Sequence, residues 1–340
     1  MRKLGESIIM RKFDEQHELD SMNGALKLRG EINEIIDKVN ADGYSNVAWL
    51  GQGGTYASAM QAVIHMKEKS AIETFVQNAA EYDVTGNKRI TDKTLVIISS
   101  VSGTTEEVVK AIKKINEVGA TVLGFIDKAD SPLAKLCTHV ITYPENEQLK
   151  FFMVGDRLMN LAGEFPDYEE FYKELDEHFA EDIVDVAKKS DDFAKEFAEK
   201  HHDDDIHYFV GAGNQWGATY SYAMCYWEEQ HWLKTKSIEA AEFFHGMFEI
   251  VTRDTPVTVY VGEDSQRSLS ERVANFLPQI CGNYDIIDTK DYELKGISEK
   301  YRGAVSPFVF HEINNRIDAY IEHINRHPMD IRRYYRQLPY

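Results

Sequence analysis

The chain has 340 residues, 43% hydrophobic and 28% charged, enough for two ordinary domains with substantial cores and too apolar for wholesale disorder. Its 57 acidic against 38 basic residues leave a net charge of −19, which argues against the basic surface that nucleic-acid binding needs. No apolar run approaches the roughly 18 residues of a membrane span. The N-terminus lacks a signal-peptide core, and the three scattered cysteines (Cys137, Cys225, Cys281) match neither a disulfide framework nor a zinc pattern. A cytoplasmic protein without membrane partners is the expectation.

In chain order, residues 16–40 read as an amphipathic helix within an N-terminal helical segment, 1–45. An alternation then begins. "NVAWL" (46–50) is a buried strand, "GQGGT" a glycine turn and "YASAMQAVIHMKEK" a helix. "IETFVQ" and "LVIISS" are strands, "TEEVVKAIKKINEVGA" a helix closed by glycine, and "TVLGFID" and "HVITY" strands. "SPLAKLC" reads as a helix start, with Ser131 as cap and Pro132 in the first turn. Alternating apolar strands and helices predict an α/β fold with a parallel sheet covered on both faces, over 46–145.

Residues 146–205 lose strand character and read as a charged helical connection that ends in the polar stretch "HHDDD". The alternation restarts over 206–340, with "IHYFVGAGN" as strand and turn, "QWGATYSYAMCYWEEQHWL" as helix, "VTVYVGE" and "YDIIDT" as strands, and a C-terminal helix from Ser306. Both halves open strand–glycine-turn–helix, so a duplicated doubly wound unit is the economical account.

Three motifs carry chemistry. "SVSGTTEE" (100–107) joins a buried strand to a helix at the sheet edge where such folds bind ligands. Helix N-terminal N–H groups and the hydroxyls of Ser100, Ser102, Thr104 and Thr105 suit a phosphate monoester, with Gly103 admitting close approach. The competing reading is a capping box, Thr104 with Glu107. "GQGGT" lacks the third glycine of a dinucleotide fingerprint, and no ribose-binding acid follows, so no nicotinamide cofactor is expected. The segment 225–251 holds five carboxylates, two histidines and two lysines, and a carboxylate with an imidazole makes an acid/base pair near neutral pH. His323 and His327, one helical turn apart, lack a metalloprotease frame, and "HHDDD" reads as a solvated helix end, so no metal is expected.

"GQGGTYASAM", "SVSGTTEEVVKAI", the "AGN" turn and "EAAEFFHGMFEIV" resemble the sugar isomerase (SIS) domain proteins that act on ketose and aldose 6-phosphates. The layout resembles the isomerase half of glucosamine-6-phosphate synthase, and the ending "HPMDIRRYYRQLPY" looks closest to fructosamine 6-phosphate deglycases. The resemblance implies two tandem flavodoxin-like subdomains and a phosphate site at Ser100, Ser102 and Thr105 with Gly53, Gly54 and Thr55. It also implies Glu229, sixteen residues before His245, as proton shuttle, and His245 as general acid, at a site shared across a homodimer. The implied reaction is C1–C2 proton transfer through an enaminol, releasing a hexose 6-phosphate and an amine without a cofactor. Met247, Lys234 and Phe244 depart from the pattern of relatives on the amine side, leaving the linkage and the amine open. An aldose–ketose isomerase, an amino-sugar 6-phosphate deaminase and a non-catalytic phosphosugar-binding regulator are the alternatives.

Overall fold

The computed structural model describes residues 10–339; the first nine residues of the N-terminal segment, and the reading made of them, lie outside the described residues. Two helices open it, α1 (Glu15–Lys27) and α2 (Arg29–Asp42), where one was expected. They divide at Leu28, whose N–H still bonds back into α1 while Met22, Leu26, Ile32 and Ile36 face the core on both sides of the break.

The first sheet follows: β1 (Asn46–Gly51), α3 (Gly54–Lys67), β2 (Thr74–Asn78), α4 (Ala79–Thr85), β3 (Thr94–Ser100), α5 (Glu106–Val118), β4 (Thr121–Ile126) and β5 (His139–Ile141). Its strands are parallel in the order β2-β1-β3-β4-β5. β1 and β3 are buried along their whole length, as strands covered on both faces must be. "SPLAKLC" shrinks to a single tight turn, Ala134–Leu136, though Ser131 Oγ does accept from the Ala134 N–H (3.3 Å).

Three helices cross over: α6 (Glu147–Leu161), α7 (Tyr168–Glu174) and α8 (Ala180–His201). The second sheet contains β6 (His207–Gly211), α9 (Asn214–Ser221), β7 (Thr235–Glu239), β8 (Val257–Val261), α10 (Arg267–Phe276) and β9 (Tyr284–Asp288), in the order β7-β6-β8-β9. β7 was not expected. It is an edge strand, half-buried, so it tolerates Lys236 and Glu239 and shows no apolar run. α11 (Glu299–Asn325) starts seven residues before the Ser306 predicted, with Pro307 inside it. Tyr301 and Val305 are buried, and that packing outweighs the helix-starting signal of Ser-Pro.

Alternate residues of each strand serve different cores. Val47 and Trp49 share one large cluster with Phe209, Trp227 and Tyr260 of the second half, while Ala48 and Leu50 pack outward against α5. The contact between halves runs through α3 and α9. A Cβ on Gly217 would lie 2.5 Å from the Ala57 carbonyl oxygen, so only glycine permits the two helices to come this close. The two helices run antiparallel, so the start of α3 at Gly54 meets the far end of α9 at Ser221 on one rim.

Candidate active site

The hydroxyl loop after β3 folds on itself. Ser100 Oγ, buried, accepts from the Gly103 N–H (3.0 Å), and the Gly103 carbonyl accepts from the Leu133 N–H (3.1 Å). Gly103 has φ 62°, and a Cβ there would lie 2.0 Å from Ser131 Oγ, so conformation and space both demand glycine. The predicted capping box does not form. Thr105, not Thr104, is the residue before α5, and its side chain makes no capping bond. The Thr104 hydroxyl turns instead to Ser102 Oγ (3.0 Å), which also accepts from the Thr104 N–H (3.2 Å). The hydroxyl of Thr105 is therefore not spent on starting the helix.

The first glycine turn lies beside this loop. Gly53, with φ 61°, leads into α3 at Gly54. Thr55 spends its hydroxyl on Gln52, accepting from its N–H (3.0 Å) and donating to its carbonyl (3.1 Å). Thr55 thus shapes the turn, while Gly53 and Gly54 leave its rim free of side chains.

The second half reaches this rim through α9. Past Ser221 that helix widens into π-type turns over Tyr222–His231 and ends at Trp232 in the left-handed region (φ 59°). Wide turns of this kind recur at functional sites, and they change which face each residue occupies. A Cβ on Gly54 would lie 3.8 Å from Cys225 Sγ and 3.9 Å from Ser221 Oγ, so the two halves touch here. Burial pushes the Cys225 thiol up to about 11, with Glu229 and Glu228 adding to the effect, so it stays protonated and is a poor nucleophile.

The two neighbouring glutamates part company. Glu228 accepts from Thr235 Oγ1 (2.8 Å) on β7, whereas Glu229, half-buried, accepts from Arg332 Nε (2.9 Å). Arg332 belongs to the segment after α11. That segment continues along the same rim, and Arg336 Nη2 donates to Ser102 Oγ (3.1 Å). In the sequence this tail stands out for its arginine density, Arg332, Arg333 and Arg336 within five residues, as well as for its likeness to relatives. His245 stands apart: it is exposed, its N–H bonds the Glu242 carbonyl (2.9 Å), and no hydrogen bond joins it to Glu229 among the described residues. The turn after it is unusual, as Gly246 (φ 157°, ψ −51°) takes a conformation that side chains avoid.

His201 corrects an expectation. It is fully buried, bonded to Asp204 Oδ2 (2.6 Å) and Asp285 Oδ2 (2.8 Å). His207 bonds the same Asp204 oxygen (2.8 Å) and Thr258 Oγ1 (2.8 Å). Its aromatic packing against Phe197 and the ring of His207, rather than any polarity of the local sequence, draws the end of α8 inward. His201, Asp204 and His207 hold ligand-type atoms within 4.8 Å of one another, but every ring nitrogen already has a partner. The cluster lies at the start of β6, in the second sheet, whereas the hydroxyl loop follows β3 of the first.

Residues 45–156 match the SIS domain family. The chain is 25% identical over 324 residues to the fructosamine deglycase of Bacillus subtilis, covering 92% of this chain and 98% of that protein. It is 26% identical over 294 residues to the fructoselysine 6-phosphate deglycase of Escherichia coli, covering 83% of each. Among solved structures, the C-terminal domain of glucosamine-fructose-6-phosphate aminotransferase from Francisella tularensis shares the fold, with a TM-score of 0.77 at 13% identity over 93% of this chain and 96% of that one. A phosphosugar-isomerase-like protein of Bacillus subtilis superposes with a TM-score of 0.87 at 24% identity, over 96% of this chain and all of the other. No helix among the described residues is long and apolar enough to cross a membrane.

Proposed function

The chain carries an SIS domain and stands among sugar-phosphate deglycases and isomerases, and from that premise we propose that it is a deglycase of a phosphorylated sugar-amine adduct. One observation carries the reading. A hydroxyl-rich loop of the first half and a carboxylate of the second meet on one rim, where Gly54 approaches Cys225, one turn before Glu229. In this reading Ser100, Ser102 and Thr105, with the N–H groups around Gly53 and Gly54, hold the 6-phosphate. That grip fixes the sugar so that C1 and C2 face the carboxylate.

Glu229 takes the proton from C1 of the open-chain ketosamine, forming an enaminol, and returns it to C2. The product is an aldimine. Water adds to its C1 carbon, and the C–N bond breaks, so that a hexose 6-phosphate and a free amine leave. His245 supplies the acid that opens the ring. Because His245 is exposed and unbonded to Glu229, a homodimer in which each subunit's histidine serves the other's carboxylate fits this reading, in a cytoplasmic enzyme that needs no cofactor.

The test is incubation with fructoselysine 6-phosphate and glucoselysine 6-phosphate separately, measuring lysine and both hexose 6-phosphates. Lysine release, abolished in Glu229→Gln, is the expected result and fixes the linkage. Interconversion of fructose and glucose 6-phosphates without amine release would replace the deglycase by an isomerase. Mixing the Glu229→Gln and His245→Gln proteins tests the shared site: activity above that of either alone is expected from subunits that exchange.

A further inference from the structure

The hydroxyl loop presents a phosphate with donors but no cation. Glu106 and Glu107 follow it directly, and Lys110, the nearest base along α5, is paired with Glu106 (2.6 Å). A phosphate dianion beside two carboxylates, in a chain of net charge −19, needs a positive partner. The tail after α11 brings one to this loop. Arg336 donates to Ser102 Oγ (3.1 Å), and its backbone stands in the left-handed region (φ 56°), which non-glycine residues rarely adopt. The tight turn that aims it is closed by bonds from the Gln337 and Leu338 N–H groups to the Tyr334 carbonyl (2.9 and 3.1 Å).

Burial does not hold this tail in place. Ile331, Tyr334, Tyr335 and Leu338 are all exposed. It is tied down instead by Arg332 on Glu229, by Arg333 over the Trp232 ring (4.2 Å) and by Arg336 on Ser102. Two of these three ties end on groups that the phosphosugar reading assigns to substrate. A segment held by its contacts with the site is suited to exchanging those contacts for a ligand.

We propose that Arg336 is the cationic partner of the substrate's phosphate, and that the same tail positions the Glu229 carboxylate through Arg332. This rests on the phosphosugar reading above. Arg336 sits within one hydrogen bond of the loop, so a phosphate bound by Ser102 meets the guanidinium without rearrangement of the main chain. Its planar fork suits two phosphate oxygens at once, which a lysine would not reproduce. Arg332, by contrast, touches the carboxylate and not the substrate.

The test is calorimetric titration of the full-length protein with inorganic phosphate, glucose 6-phosphate and glucose. Arg336→Gln is expected to weaken phosphate and glucose 6-phosphate by about 10- to 100-fold, the range of a charge-assisted hydrogen bond. Arg336→Lys recovers part of the loss. Arg333→Gln removes the same charge from the same tail but lies over Trp232, and is expected to stay within about twofold of the parent. Arg336→Gln binding phosphate as well as the parent does would overturn the inference and leave the phosphosugar reading standing. A parent protein that binds neither phosphate nor glucose 6-phosphate overturns both. For Arg332, the readout is the split between kcat and KM: Arg332→Gln lowers kcat with KM little changed, and Arg332→Lys recovers part of the loss. An unchanged kcat overturns the positioning role.

Discussion

The two halves of the molecule open with the same turn and put it to different uses. Gly53 before α3 has φ 61° and ψ −125°; Gly213 before α9 has φ 57° and ψ −135°. Around Gly53 the space is open, with no atom within 4 Å of where a Cβ would stand. Around Gly213 it is filled: a Cβ would lie 2.3 Å from Asp264 Oδ1. Asp264 comes from the loop after β8, the topological counterpart of the hydroxyl loop after β3, and accepts from the Asn214 N–H (3.0 Å) and the Gln266 N–H (2.8 Å). One half keeps its anion-seeking N–H groups available among hydroxyls, and the other satisfies them with its own carboxylate. On the function proposed above, a duplicated fold yields one phosphate pocket, while the second half is free to supply the carboxylate for chemistry.

The largest effect expected from that division of labour is at Glu229. Glu229→Gln should lower kcat by about 10²- to 10⁴-fold, the usual contribution of a positioned proton-transfer group. Glu228→Gln, which loses only a bond to Thr235, should stay within about threefold. Equal losses at both positions would show that the π-type turns do not separate the two carboxylates, and the chemistry would have to be moved elsewhere on the segment.

Next in size is a pH effect confined to the second half, where β6 is anchored by the buried pair His201 and His207 around Asp204. The corresponding start of β1 is held by neutral groups, the Asn46 amide on the Arg89 carbonyl (2.9 Å) and the Ser45 hydroxyl on the Lys93 carbonyl (3.2 Å). Burial lowers His207 to about 4, so it stays neutral when folded. As pH falls from about 6.5 toward 4, the unfolded chain binds a proton that the folded chain refuses, and stability drops by about 1–3 kcal/mol. Burial alone would lower His201 as well, but its bonds to Asp204 and Asp285 raise it, so its contribution is complete below about 6.5 and is lost only at higher pH. Asp204 would be raised by burial, yet its bonds from both histidines bring it to about 2, and its contribution is lost below about pH 4. Within this cluster, the window between about 4 and 6.5 thus belongs to His207. Urea midpoints of His207→Asn should lie lower throughout but fall less steeply across that window; an unchanged slope would remove His207 as the cause.

What the sequence disclosed and what it concealed follow the same divide. β1, β3, β4 and β8 are buried on both faces, so their apolar runs announce them, and the loop after β3 is conspicuous because hydroxyls cluster where a strand ends. β7 is concealed because an edge strand needs only one partner and keeps its charges. The face presented by Glu229 is concealed because helical periodicity assumes 3.6 residues per turn, and Tyr222–His231 does not keep that period. His201 looks solvated in "HHDDD" because its partner Asp285 is 84 residues away. Arg332 and Arg336 lie 103 and 234 residues from Glu229 and Ser102, and no local pattern encodes such contacts.

The smallest effects test the comparison most directly, because they act on matching loops. Asp264→Ala leaves the Asn214 and Gln266 N–H groups without their acceptor, and should cost about 1–2 kcal/mol of stability while phosphate affinity holds. Ser102→Ala should do the reverse. Its hydroxyl accepts only from Thr104 and Arg336 at an exposed turn, so the fold loses little, but phosphate affinity should fall by roughly 3- to 10-fold, the worth of one neutral hydrogen bond. Ser265→Ala, in the second loop, removes a bond to Glu68 and should leave phosphate binding as it was. Thermal midpoints and phosphate titrations on these three proteins give two columns that should cross. If Ser102→Ala lost stability and kept affinity, the hydroxyl loop would be a structural turn like its counterpart, and the two halves would differ in sequence without differing in role.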